Sequence, residues 1–321
     1  MWWLALTAAV AGYGDPNDGY PSHAERELHV WTNAVRVEPT AFEDDYRDGG
    51  CSLEDFTRTE REPQRPLAWS SALNAAARGH TEDMRDNNFL SHSSSDGTSM
   101  GVRVSRFYGD YAIGENVAMG DYPSMFEVVG SGWMCSSGHR ANIMASDWEE
   151  FGGGALGGYF TQNFGARGAP THVMNMGVHL PEEPVAGDVT FLVDVTADTK
   201  VEQAFVVVNG ASHPMDVIFG SKRSGLRVAR VPFEEGCAVY WFETEVEGEA
   251  HRFPEDGAYA YGDCTFDDKK AGWLSAASLR KPGSPVAGSD VLDDEARGCQ
   301  QSPGSAWWAS WLLLLAVRRR R

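Results

Sequence analysis

Apolar and polar positions along this chain follow one period in the first half and another in the second. In SHAERELHVWTNAVR, Ala24, Leu28, Trp31 and Val35 recur at helical spacing, so one face of a helix is apolar. In PLAWSSALNAAARGHTEDMRDNNF, Leu73, Ala77, His80 and Met84 recur the same way. Pro66 marks the entry there, and Ser70 or Ser71 is available as a cap. YPSMFEVVGSGWM predicts a third helix with Pro123 in its first turn. Residues 153–157 form a weak strand candidate, 158–164 a stronger, aromatic one, and THVMNMGVHL a further strand. Helices flanking such a sheet predict a compact α+β domain over residues 23–180.

Beyond Pro181-Glu-Glu-Pro184 the texture changes to short β-branched and aromatic runs separated by turn residues, about ten residues apart. Residues 185–266 therefore predict a small all-β sandwich, with Cys237 and Cys264 bracketing its last hairpin. Tyr240, Trp241, Phe242, Tyr259 and Tyr261 could line a sugar-binding face, although alternating aromatics in a sandwich more often form its core. The domain reads as a spacer or adhesion module. Residues 267–298 are polar and contain Pro, Gly and Ser, which suits a flexible tether.

The 321 residues suffice for about two domains, and no internal repeat is evident. The net charge is −19, and −23 without the four arginines Arg318–Arg321. Such a chain repels phosphate backbones and attracts cations, which argues against nucleic acid as a partner. None of the five cysteines forms a CxxC pair. In an oxidising compartment Cys51 would pair with Cys135 and Cys237 with Cys264, one of three connectivities open to four cysteines.

The apolar N-terminus ends in Ala9-Val10-Ala11, the A-x-A pattern of a signal peptide over residues 1–11, although no Lys or Arg precedes its apolar run. A buried N-terminal segment is the alternative. At the other end, Gly298-Cys299 precedes a Ser/Pro/Gly patch, AWWASWLLLLAV and RRRR. A dozen apolar residues span only about 18 Å as a helix, short of a hydrocarbon core of about 30 Å. Residues 299–321 resemble the tripartite sorting tails of the myxobacterial kind. That resemblance implies export, processing or lipidation near Cys299, and retention at the cell surface or outer membrane, with the tail as the contact to the membrane.

Three pieces of the first domain carry chemistry: NFLSH ending at His92, GEN around Glu115, and GHR around His139. With HTEDM, WM, ANIM and YFTQNFG in the same order, they resemble the CAP superfamily, the SCP-like group of cysteine-rich secretory, antigen 5 and pathogenesis-related-1 proteins, in its bacterial branch. The resemblance implies an α-β-α sandwich with a cleft holding His92, His139 and Glu115. Many eukaryotic members carry a second glutamate three residues after the Trp; here that position is Ser136.

Two imidazoles and a carboxylate suffice for an open site for Zn2+ or another divalent metal, with His92, His139 and Glu115 as ligands. A glutamate beside the histidines would raise their pKa values, so that acid weakens metal binding. Gly138 is expected to close the preceding helix and turn His139 into the cleft. His80, on an apolar stripe, reads as a hydrogen-bonded core histidine, Arg140 as an ion-pair or carbonyl donor, and Asn116 as a bracket for a Glu115 loop. His23, His29, His172, His179, His213 and His251 show no ligand spacing.

Three functions compete. One is a surface-retained, non-catalytic protein whose cleft binds a divalent metal or a small apolar, lipid-like or cell-wall ligand. Another is a secreted hydrolase of protease-like or cell-wall-active type, with zinc or with Ser136 as nucleophile and His139 as base. No HExxH or GxSxG accompanies it. The last is a structural or adhesion protein of the envelope.

Overall fold

The computed structural model describes residues 12–15, 20–168, 172–184 and 186–264, and the backbone of 273–274. The signal-peptide pattern over 1–11, Cys299 and the sorting tail lie outside the described residues, as does nearly all of the 267–298 tether.

Helices α1 (His23–Val37), α2 (Glu43–Asp48), α3 (Ser71–Asn87), α4 (Met100–Tyr108), α5 (Met125–Glu127) and α6 (Ser137–Met144) are joined by single 3-10 turns and a π-helical turn, Val128–Trp133. Each long helix starts where its cap dictates. Ser22 and Glu25 form a reciprocal capping box on α1, Ser70 caps α3 and Ser99 caps α4. A four-stranded sheet runs in the order β1 (Ala68–Trp69), β3 (Glu150–Leu156), β4 (Tyr159–Gly165), β2 (Ile113–Met119). Its two faces are set by three successive glycines of β3. A Cβ on Gly152 would lie 2.0 Å from Asn74 N, and one on Gly154 would lie 2.7 Å from the Ala77 backbone. Those two glycines let the backbone of α3 settle directly on the strand. Gly153 points the other way, 2.9 Å short of Leu28 in α1. This is the α-β-α arrangement.

The second half is β-rich. Strands β5 (Met174–Leu180), β6 (Gly187–Thr196), β7 (Ala204–Val208), β8 (Ala211–Gly220), β9 (Ser224–Phe233), β10 (Cys237–Val246), β11 (Glu249–Phe253), β12 (Ala258–Gly262) and β13 (Trp273–Leu274) pair in the path β13-β12-β10-β7-β8-β9-β6-β5, with β11 off it on β10. The path folds over at β8, whose residues 211–215 pair with β7 while 216–220 pair with β9. A strand that changes partners along its length makes the corner of a sandwich. Asn209-Gly210 and Glu247-Gly248, all at positive φ, close two-residue hairpins. The disulfides are Cys51–Cys135 and Cys237–Cys264.

Four details depart from the sequence reading. Strand β5 pairs with β6, so it belongs to the second sheet, not to the sheet of the α-β-α unit. Pro66 precedes the short strand β1, and α3 begins later, after Ser70. The third helix is one turn long, capped by Ser124 after Pro123, and continues as the π-helical turn. Trp273–Leu274, placed in the tether, pair with β12. Tyr240, Phe242, Tyr259 and Tyr261 are buried and Trp241 is half-buried, so these aromatics are core and not an exposed sugar-binding face.

Helix α1 lies between the two sheets, and thirteen of its fifteen residues are buried. An amphipathic stripe would cover only one side. The other side is polar, and several of its groups bond to neighbouring elements, although His23 Nδ1, Arg26 Nε and His29 Nδ1 have no partner among the described residues. Asn33 donates to Leu67 O and Asp194 Oδ2, Arg26 donates to Gly177 O and the Tyr240 hydroxyl, and Thr32 accepts from Gln162 Nε2. Leu28, Phe151, Met176, Phe191 and Tyr240 consequently share one apolar cluster that spans both halves.

Gly152→Ala should lower stability in urea unfolding by about 3 kcal/mol or abolish folding, because helix backbone cannot retreat from the added methyl. Gly138→Ala, where a Cβ meets nothing within 4 Å, should be neutral or stabilise by up to about 1 kcal/mol.

Candidate functional site

Strand β2 forms an edge of its sheet, paired with β4 in the register Glu115↔Asn163 and Asn116↔Gln162. Side chains alternate along it, so Glu115 faces the α3–α4 side and Asn116 faces α1 and α6. Glu115 was expected on a loop; the strand places it more firmly. Its carboxylate is wholly buried, with 0% of the side chain exposed. Arg103 of α4, itself 8% exposed, approaches Oε2 at 2.5 Å. His92, on the loop between α3 and α4, bonds Oε1 through Nδ1 at 3.0 Å. Arg103 also donates to His92 O and Ser94 Oγ, each at 3.1 Å. With its amide turned to satisfy its neighbours, Asn163 donates to Oε2 at 3.0 Å. Both oxygens of Glu115 are therefore engaged by protein.

On the other face, Asn116 donates to His139 O at 3.1 Å and to Gln162 Oε1 at 2.9 Å, and Gln162 donates to Thr32 in α1 at 2.8 Å. The edge carbonyls of β2 are covered by side chains. Asn142 donates to Glu115 O at 3.1 Å and Trp133 Nε1 to Val117 O at 3.3 Å. These contacts seat α6 against the edge of β2, with His139 half-buried in its first turn. Gly138 thus opens α6; it does not close a preceding helix. Asn116 brackets the backbone of His139, not a Glu115 loop.

His92 and His139 both come to this edge, His92 through the Glu115 carboxylate and His139 through its backbone carbonyl on Asn116. His92 is open to solvent, with 57% of its side chain exposed. The pKa of His139 is lowered from the ordinary histidine value by burial and then by repulsion from His92. A raised value was expected from the glutamate, but the Glu115 carboxylate is paired with Arg103 and bonded to His92. Ser136 is the residue before α6, and among the described residues no hydrogen bond joins its hydroxyl to His139. His80 is a buried core histidine bonded to Ser91 O at 2.7 Å. Arg140 pairs with Glu60 at 3.2 Å and donates to Met134 O and Asp55 O. Among the described residues, no group of three or more His, Cys, Asp and Glu side chains is arranged to hold a metal ion.

Arg103 is absent from the sequence reading, and so is α4. Ser99 followed by MGVRVSRFY, with Val104 and Tyr108 four residues apart, is the local signal that could have revealed the helix. A carboxylate can only accept, so His92 must donate from Nδ1, leaving Nε2 as the free lone pair of the neutral ring. Nitrogen NMR of His92 should accordingly show the Nδ1–H tautomer in the native protein. It should show the more usual Nε2–H tautomer in Glu115→Leu.

The sequence model of the CAP: Cysteine-rich secretory protein family matches residues 32–165. The "Uncharacterized membrane protein YlbC" of Bacillus subtilis (strain 168) is 38% identical over 30% of this chain and 28% of its own length. The "Uncharacterized protein YkwD" of the same organism is 34% identical over 34% of this chain and 44% of its own length. The match thus spans less than half of either relative. The crystal structure of an extracellular protein containing a SCP domain, from Bacillus anthracis str. Ames, is 32% identical over 32% of this chain and 35% of that chain, with a TM-score of 0.31. The ordered His92, Glu115 and His139 motifs lie inside the matched span, so residues 32–165 are similar to the CAP, or cysteine-rich secretory protein, family.

Proposed function

We propose that this is an exported, surface-retained CAP-domain protein whose two cleft imidazoles bind a divalent transition-metal cation without turning over a substrate. The observation that carries the reading is the His92 Nδ1–Glu115 bond of 3.0 Å. A histidine whose inner nitrogen is held by a carboxylate presents its outer nitrogen in a fixed direction, which is how ligating histidines are usually supported. Glu115 would act behind His92 and not as a ligand, since Arg103 and His92 engage its oxygens. His92 and His139 would hold the cation, and water or an external donor would complete its shell, giving a Lewis-acidic position open to solvent.

The lowered pKa of His139 supports this reading, because its lone pair stays available at neutral pH. Proton uptake by the imidazoles in acid would displace the cation. Export is supported by the two disulfides and by the sequence patterns at both ends. Among the described residues no helix is long and apolar enough to cross a membrane, so in this reading the tail beyond Cys299 holds the protein at the surface. Leu90, Val102, Phe107 and Tyr111 are exposed on α4 and its flanks. They favour an apolar, lipid-like or cell-wall molecule as a second class of ligand.

Calorimetric titration of the full chain with Zn2+ at pH 7 should give one site, lost in His92→Ala/His139→Ala. Affinity should fall about 10–100-fold in Glu115→Leu and weaken below pH 6 in the native protein. Wild-type protein that binds no more zinc than the double variant would contradict the proposal.

A further inference from the structure

Residues Gly12–Asp15 form a hook that joins the two sheets. The Tyr13 hydroxyl accepts from Trp69 N–H of β1 at 2.6 Å and donates to Asn175 O of β5 at 3.3 Å. Tyr13 N–H donates to Glu255 Oε2 at 2.7 Å, and Glu255 N–H returns to Tyr13 O at 2.9 Å. The Tyr259 hydroxyl donates to Gly14 O at 2.8 Å. Gly14 has a φ of 81°, and a Cβ there would lie 2.4 Å from the Phe253 ring, so only glycine fits the bend.

The head of the hook is held by acids. Gly12 N–H donates to Asp15 Oδ2 at 2.9 Å, and Asp256 N–H donates to Asp15 Oδ1 at 3.1 Å. A Cβ on Gly12 would stand 3.1 Å from Asp15 Oδ2 and 3.2 Å from Asp256 Oδ2. Two carboxylates thus converge on one residue, and Asp15 is only 7% exposed. Arg252 does not form an ion pair with either; its guanidinium donates to the carbonyls of Pro254, Asp256 and Gly257. Asp15, buried, thus takes two backbone N–H groups but, among the described residues, no cation, while Asp256 beside it is exposed. In the sequence, Gly12 follows directly on Ala9-Val10-Ala11.

We propose that cleavage of the Ala11–Gly12 bond leaves the α-ammonium of Gly12 in an ion pair with Asp15 and Asp256, and that this pair fastens the hook across the two sheets. Hydrolysis by a leader peptidase, with water as co-reactant, breaks the C–N bond. The carboxylate stays on the departing Ala11, and the Gly12 amine takes a proton. The new ammonium keeps the donor to Asp15 and adds two more N–H groups beside Asp256. Glycine is required at this position because a side chain would run into Glu255 Cβ at 2.9 Å. The inference rests on the export part of the proposed function and is independent of metal binding.

The test has two arms. Intact-mass and N-terminal sequencing of the exported full chain should give Gly12 as first residue. Chains produced to begin at Gly12 should melt about 2–4 °C higher than chains carrying one extra alanine in front. That difference should vanish when Asp15→Asn and Asp256→Asn are combined. Exported protein that begins at another residue would overturn the proposal. So would equal melting temperatures for the two starts, or a difference that persists in the Asp15→Asn/Asp256→Asn background. None of these outcomes bears on zinc binding.

Discussion

A carboxylate with no exposed surface must be compensated by the protein around it, and Glu115 is in that position. An ion removed from water loses several kcal/mol of hydration unless charged and hydrogen-bonding partners replace it. Meeting that requirement brings Arg103 in from α4, draws the 92–94 loop to Arg103, and orients the ring of His92. This cluster is thus built around a charge that never reaches solvent. What does reach solvent is the outer edge of an imidazole, set in direction by a buried acid.

The second constraint is helix α1, which both sheets use. The α-β-α unit alone would leave the polar side of α1 facing water. Here Arg26, Asn33 and Thr32 are sealed under β5, β6 and the Gln162–Asn116 chain that leads to His139. His139 is therefore linked, through Asn116, Gln162 and Thr32, to the helix that carries the second sheet. Histidines within α1 share this burial: His29 bonds Leu67 O and its pKa is lowered to about 4, His23 bonds His179 O and its pKa is lowered to about 3, both chiefly by desolvation. Each stays neutral while folded. Their contribution to stability is complete above about pH 6.5 and is lost as the pH falls through these lower values.

Elements with a strong local signature were readable from the residues. The periods of α1 and α3, the cap of α3, and the β-rich texture after residue 184 lie in adjacent residues and need no tertiary information. Strand β2 was not readable, because IGENVAM alternates weakly and puts a charged residue inward. Its identity as a strand is decided by β4 and its burial by α4, both distant in sequence. The motifs around His92, Glu115 and His139 gave the expectation that these residues come together. They did not indicate that Glu115 and Asn116, which holds the His139 carbonyl, point to opposite faces of an edge strand, because motif order carries no information about which way a pleat points. The assignment of β5 shows the same limit, since the residues of MNMGVHL fit either sheet and the pairing with β6 decides.

The most direct test of this account is a double-mutant cycle between Glu115 and Arg103, read by urea unfolding. Glu115→Leu and Arg103→Met should each cost about 3 kcal/mol, and the double variant should cost no more than the worse single one, because the survivor of a broken buried pair carries most of the penalty. If the two costs add to within about 0.5 kcal/mol, the buried ion pair does not organise the residues around Glu115.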